Sequence, residues 1–197
     1  MTILIAYATT DGHTRKIARF CADHLSARHS VELLNLDDSE GLDLSRFQGI
    51  ILAGSVHVHN FQRPLVAFAK ANKAILQAKP SLFLAVSLSA AGKDADDLQG
   101  LRDCHTAFEA ETGWVPGTSA DVAGAFRFTE YDYFKAWMME RIAVKKGQEV
   151  DENADREFTD WAALARLVDQ WAAGQFATVQ GLVGDDADSV ACTMSGN

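Results

Sequence analysis

The chain has 197 residues, 48% of them hydrophobic, with 18 Lys and Arg against 27 Asp and Glu and a formal net charge of -9. This length and apolar content fit one full core with excursions better than two cores, and the acidic balance excludes a general nucleic-acid binder, which needs clustered Lys and Arg. No apolar run reaches the roughly 18 to 20 residues that cross a bilayer, and a strand-like run starts two residues into the chain without a basic leader, so a cytoplasmic protein is expected.

Along the chain, apolar runs predict strands over 2–8, 31–36, 50–55 and 82–88, alternating with predicted helices over 14–27 and 63–78. Residues 3–6 and 50–53 are continuously apolar, as strands covered on both faces must be. The alternation therefore predicts an α/β fold, a doubly wound parallel sheet. A helix over 95–112 and a strand over 121–126 follow. A terminal helix over 159–173 carries Trp161, Leu164, Ala165, Val168 and Trp171 at helical spacing, with Thr159 or Asp160 as its cap.

Between that strand and the terminal helix lies a stretch a minimal fold does not need. Phe134, Trp137, Met138 and Ile142 share one helical face, and Arg141, Lys145 and Lys146 sit near its carboxyl end. This extra amphipathic helix, over 130–146, has three readings: a cover for exposed core, a helix lying on a membrane surface, or a wall of a large apolar substrate pocket. The domain is expected to span 1–174. Residues 175–197 lack Lys and Arg and show little periodicity, so a disordered tail is expected there.

The most informative local feature is Thr9, Thr10, Asp11, Gly12, His13 and Thr14, placed between the first strand and the first helix. A strand that stops in a hydroxyl-rich turn and restarts as a helix aims backbone N–H groups and the positive helix end at one spot. Gly12 permits close approach of an anion, and the threonine hydroxyls donate to phosphate oxygens without a buried Lys or Arg. Neither GxxxxGK[ST] nor GxGxxG is present, which argues against a P-loop nucleotidase and a standard NAD site. A phosphate held by hydroxyls and amides points to flavin mononucleotide (FMN); the plainer reading is an ordinary polar turn. His13 either donates to the phosphate or is solvated, and Asp11 accepts from turn amides with its carboxylate turned away.

Ligands of such sheets bind outside the carboxyl ends of the strands where strand order reverses. That rule selects two further loops, one carrying Ser55, Val56, His57 and Val58, the other Ser87, Leu88 and Ser89, expected to flank the flavin ring with backbone groups. His57 is read either as a hydrogen-bond donor beside the flavin or as a solvent-facing loop residue. His57 and His59 lack a nearby Cys or carboxylate to complete a metal set, and Cys21, Cys104 and Cys192 form no CxxC. No metal and no catalytic side-chain triad are expected; the chemistry would be the flavin's own.

With these residues in place, the sequence resembles the flavodoxin-like family, and within it the menaquinone-dependent protoporphyrinogen dehydrogenase branch. The Asp11-Gly12 pair of the first turn, residues 54–58, 123–128, 137–142 and 158–161 carry the resemblance, which covers residues 1 to 173 or so. The chain departs from relatives at His59, where Gly is usual, and Glu130, Asp132 and Glu140 dilute the positive charge of the helical segment. The resemblance implies a five-stranded sheet of order 2-1-3-4-5, FMN, oxidation of protoporphyrinogen IX to protoporphyrin IX in heme biosynthesis, and electron transfer to a quinone. Phe126, Arg127, Phe128, Tyr131, Phe134 and Trp137 would then surround the tetrapyrrole, with Arg127 pairing with a propionate. Segment 131–146 would make any peripheral contact with the inner membrane face. The rival readings are an FMN electron carrier or quinone reductase of another pathway, and a flavin-free interaction module.

Overall fold

In the computed structural model the described residues are 1–57, 60–91, 95–126, 156–175 and 179–182. Strands β1 (Thr2–Ala8), β2 (Ser30–Asn35), β3 (Gly49–His57), β5 (Ser81–Ser87) and β6 (Thr118–Ala123) run parallel in the order β2-β1-β3-β5-β6. This is the doubly wound, flavodoxin-like order expected from the sequence. All seven residues of β5 are buried, because helices cover both faces. Against one face lie α1 (His13–Ser26) and α5 (Trp161–Ala172), whose Ile17, Cys21, Leu25, Leu164, Val168 and Trp171 pack on Ile3, Ile5, Ile51 and Leu84. Against the other lie α2 (Arg63–Ala71), α3 (Lys73–Ala78) and α4 (Ala95–Thr112), whose Leu65, Phe68, Leu76 and Phe108 meet Leu4, Ala6, Leu52 and Phe83. Burial pushes the Cys21 thiol up to about 12, so it stays a protonated core residue.

Several boundaries differ from the sequence reading. The predicted helix over 63–78 divides at Asn72, whose side-chain amide donates to the Phe68 carbonyl at 2.9 Å and competes with the helical ladder. Strand β3 runs through to His57 and folds back into β4 (Asn60–Phe61), pairing Val56 with Phe61 and His57 with Asn60. Strand β6 starts three residues earlier than its predicted start at Asp121, because Thr118, Ala120 and Val122 alternate into one interior while Asp121 is taken by His105 of α4 at 2.8 Å. Beyond Gly124, β7 (Ala125–Phe126) pairs antiparallel with β8 (Arg156–Glu157), so the excursion leaves and returns through one two-stranded ribbon. The extra helix expected over 130–146 lies outside the described residues.

The expected tail needs correction over four residues. Strand β9 (Val179–Leu182) adds parallel to β6 and extends the predicted five-stranded sheet. An uncovered β6 edge presents unpaired N–H and C=O groups, and the backbone of the short Val-Gln-Gly-Leu stretch pairs with them without long periodicity.

Candidate functional site

Strand register brings the three predicted loops together. Ala8 lies opposite Gly54, Ser55 opposite Val86, and Ser87 opposite Ala123. The chain thus leaves β1, β3 and β5 at one edge, beside the reversal in strand order between β1 and its two neighbours. That edge is where the crevice rule places a ligand.

The first turn is closed by Thr9, whose Oγ1 accepts the Gly12 N–H at 3.0 Å. A hydroxyl that accepts this bond keeps its own hydrogen for an anion. Gly12 caps α1 with φ 85°, a left-handed conformation that costs a side-chain-bearing residue about 1–2 kcal/mol. Its carbonyl accepts from Lys16 N–H at 3.2 Å. Thr14 is buried beneath the turn, whereas Thr10 and Asp11 are exposed. The first turn of α1 holds no acidic residue, so the orphan amides and positive helix end are not neutralised from within the helix.

His13 does more than stand at the mouth of the turn. The buried Thr159 hydroxyl donates to the Ala123 carbonyl at 2.7 Å and therefore accepts from His13 Nε2, 2.9 Å away. The imidazole also meets the Trp161 ring edge-on at 6.2 Å. One turn along, Lys16 pairs with Glu157 of β8 at 2.5 Å, and Trp161 Nε1 donates to the same carboxylate at 2.6 Å. Burial raises the Glu157 pKa, yet the bonds from Lys16 and Trp161 and the charges of Lys16 and His13 outweigh it and hold it below the ordinary value. Asp160, of the two candidate caps, closes α5 by accepting from Ala163 N–H at 2.8 Å.

The second and third loops are ordered by directed hydrogen bonds. Ser55 N–H donates to Gln62 Oε1 at 3.1 Å, and Gln62 Nε2 reaches both Ser55 Oγ and, at 3.3 Å, Thr10 Oγ1. Gly54 allows this approach: a Cβ there would lie 2.3 Å from Leu65 Cδ2. Ser87 Oγ accepts from Ala90 N–H at 3.0 Å, the Ser87 carbonyl accepts from Gly124 N–H at 2.9 Å, and Leu88 and Ser89 are half-buried. His57 and Phe126 are placed by their backbones in β3 and β7, while Val58, Arg127, Phe128, Tyr131, Phe134 and Trp137 lie outside the described residues.

Gln62 and the Thr159 hydroxyl were not legible as site groups, because both act across long sequence separations. Among the described residues no group of three His, Cys, Asp or Glu is placed to hold a metal, and no helix is long and apolar enough to cross a membrane.

A doubly wound sheet with three small-residue loops gathered at its reversal, one of them a hydroxyl-rich turn before α1, is the architecture of the flavodoxin-like class. The chain belongs to the flavodoxin domain family, whose profile matches residues 4–153. It is 29% identical over 175 residues to a Leishmania major protein named protoporphyrinogen IX dehydrogenase (quinone), covering 86% of this chain and 74% of that one. It is 26% identical over 168 residues to an Escherichia coli K12 protein of the same name, covering 85% and 92%. Among solved structures, a short-chain flavodoxin associated with a bacterial microcompartment superposes with a TM-score of 0.56 at 11% identity, covering 89% of this chain and 99% of that one. Flavodoxin 2 from Bacillus cereus gives 0.51 at 17%, covering 88% and 99%.

Family membership makes FMN the cofactor and the chain a flavoprotein of the oxidoreductase type. The residues present fit it. A monophosphate requires donors and no competing carboxylate within the helix turn, and the closed Thr9–Gly12 turn, the buried Thr14 and the acid-free start of α1 supply that arrangement.

Proposed function

We propose that this chain oxidises protoporphyrinogen IX with bound FMN and passes the electrons to a quinone. The observation that carries the reading is the placement of the excursion. Its two feet, β7 and β8, pair with each other, and the returning foot is tied to the first turn of α1 through Lys16–Glu157 and His13–Thr159. The stretch that distinguishes this chain from a minimal flavodoxin thus departs and returns beside the phosphate turn. Both named relatives, aligned over 85% or more of this chain, support the substrate and the acceptor.

In this reading Thr9, Thr10, Gly12, His13 and Thr14 hold the phosphate, with Asp11 at the outer rim. Ser55, Val56, His57 and Val58 flank one side of the ring and Ser87, Leu88 and Ser89 the other. FMN supplies acceptance of two electrons from the substrate and their release to the quinone. The chain's contribution is to orient the ring and shield it from water. Phe126, Phe128, Tyr131, Phe134 and Trp137 offer apolar surface for a tetrapyrrole, and Arg127 a partner for a propionate. A lipid-soluble quinone is reached by contact of 131–146 with the membrane surface.

The test is anaerobic addition of protoporphyrinogen to the FMN-loaded protein while the visible flavin band is followed. Bleaching, then recovery with a menaquinone analogue, is the expected result. Flavin that binds without being reduced replaces this reading with an electron carrier or quinone reductase. A protein that takes up no flavin overturns the assignment of residues 9–14.

A further inference from the structure

We infer that Gln62 is a positioning residue, a strap that sets the spacing between the phosphate turn and the strand end that flanks the flavin ring. Gln62 occupies the cap position of α2, with an extended backbone and its carbonyl accepting from Val66 N–H at 3.2 Å. Cap residues ordinarily turn their side chains onto their own helix. Gln62 makes no such bond. Its amide instead crosses to the sheet edge: Oε1 accepts from Ser55 N–H at 3.1 Å, and Nε2 meets Ser55 Oγ and then Thr10 Oγ1 at 3.3 Å.

The backbone is built to allow the crossing. Gly54 stands opposite Ala8 in the ladder, so Ser55 and the turn that follows β1 are neighbours. Leu65 packs so closely on Gly54 that a Cβ there would force the Leu65 side chain to move, and Gln62 Oε1 would lie 3.5 Å from that Cβ. Nε2 has two hydrogens, one for each hydroxyl, and both hydroxyls keep a hydrogen of their own for a ligand. The strap therefore fixes two loops without consuming their donating capacity.

This inference rests on the FMN placement above and predicts a particular pattern. A ligand that touches both loops gains from their preset spacing, because the cost of ordering one loop against the other is met before binding. A ligand that touches only the ring-flanking loops gains nothing from it. FMN is of the first kind, and riboflavin, which lacks the phosphate, is of the second.

The experiment compares FMN and riboflavin binding to the apoprotein and its Gln62→Met variant by quenching of flavin fluorescence, with apoprotein melting measured alongside. Met keeps the bulk of Gln and removes the amide. The expected result is a Kd for FMN raised about tenfold, a Kd for riboflavin changed less than about twofold, and the same degree of quenching once riboflavin is bound. Gln62→Asn, which keeps an amide but is one methylene too short to span both loops, should give the same split. Equal weakening of both ligands overturns the strap and makes Gln62 a general support of the loop. Unchanged FMN affinity overturns it as well, while the FMN site stands. If the unsubstituted protein binds no FMN, the site assignment falls and the strap with it.

Discussion

Phe83 and Leu84 are neighbours on β5 and enter different interiors. Leu84 joins a mainly aliphatic core under α1 and α5, which also holds Tyr7 and Trp171 and whose rim at the turn before α1 is fastened by polar bonds: Thr159 to Ala123, His13 to Thr159, Lys16 and Trp161 to Glu157. Phe83 sits at the centre of a ring cluster under α2 and α4, stacked on Phe108 at 4.9 Å and edge-on to Phe61 at 5.2 Å and Trp114 at 5.9 Å. Rings of this kind bring large buried areas and a further preference for offset and T-shaped contacts. The difference teaches that the two halves of the crevice are supported by different forces. The layer under α2 and α4 is centred on packed rings, and the rim beside the turn before α1 is fastened by directed hydrogen bonds that can be altered one at a time.

The largest effect expected from this contrast is loss of the central ring. Phe83→Ala should lower the unfolding free energy by about 3–5 kcal/mol, since it removes the transfer energy of the ring and leaves a cavity among neighbours that cannot collapse. Leu84→Ala, also fully buried, should cost less. Urea unfolding of the two variants checks the order. If Leu84→Ala proves as costly as Phe83→Ala, the ring cluster is ordinary core and the contrast between the faces loses its energetic basis.

Much of this arrangement was legible in the sequence, for reasons that separate local pattern from register. The continuous apolar runs in β1 and β3 report burial on both faces, and the polar turn before α1 reports where the strand stops and the helix starts, because each depends only on neighbouring residues. Gln62 was not legible: its partners Ser55 and Thr10 are set by the Ala8–Gly54 register and by where α2 starts. Of the two caps the sequence offered, Thr159 or Asp160, Asp160 takes the role, and the Thr159 hydroxyl instead reaches His13 across 146 positions. The same holds for Asp121, which looked like a strand's first residue and lies within β6, where its carboxylate pairs with His105 of α4. Strand β9 escaped because a strand added to an edge needs only free backbone and a short compatible stretch, not amphipathic alternation.

An intermediate effect is expected where the polar rim is cut at its buried member. Thr159→Val preserves shape and removes both the donor to the Ala123 carbonyl and the acceptor for His13. The bond to Ala123 is buried and the one from His13 part-buried, so a loss of about 1–3 kcal/mol follows from the unpaired groups left behind. Thermal unfolding measures it. A neutral outcome would show that the two sides of the crevice are held alike, by packing.

The smallest effect is at the exposed end of the same rim, and pH isolates it. The Glu157 pKa is held below its ordinary value of 4.5 despite the opposing effect of burial. A carboxylate with a lowered native pKa stabilises the fold fully above its unfolded value, and that contribution disappears as pH falls through the native value. Glu157→Gln should therefore reduce stability near about pH 7 and converge with the parent protein in acid. Lys16 and Glu157 side chains are 59% and 31% exposed, so solvent screening keeps the difference under about 1 kcal/mol. Salt should remove the share contributed by Lys16, whereas the bond from Trp161 Nε1 should resist it. Urea unfolding of both proteins across this pH range, at low and high salt, provides the reading. A difference that persists in acid would mean that the carboxylate's charge is immaterial and that Glu157 holds the β8 foot by shape alone.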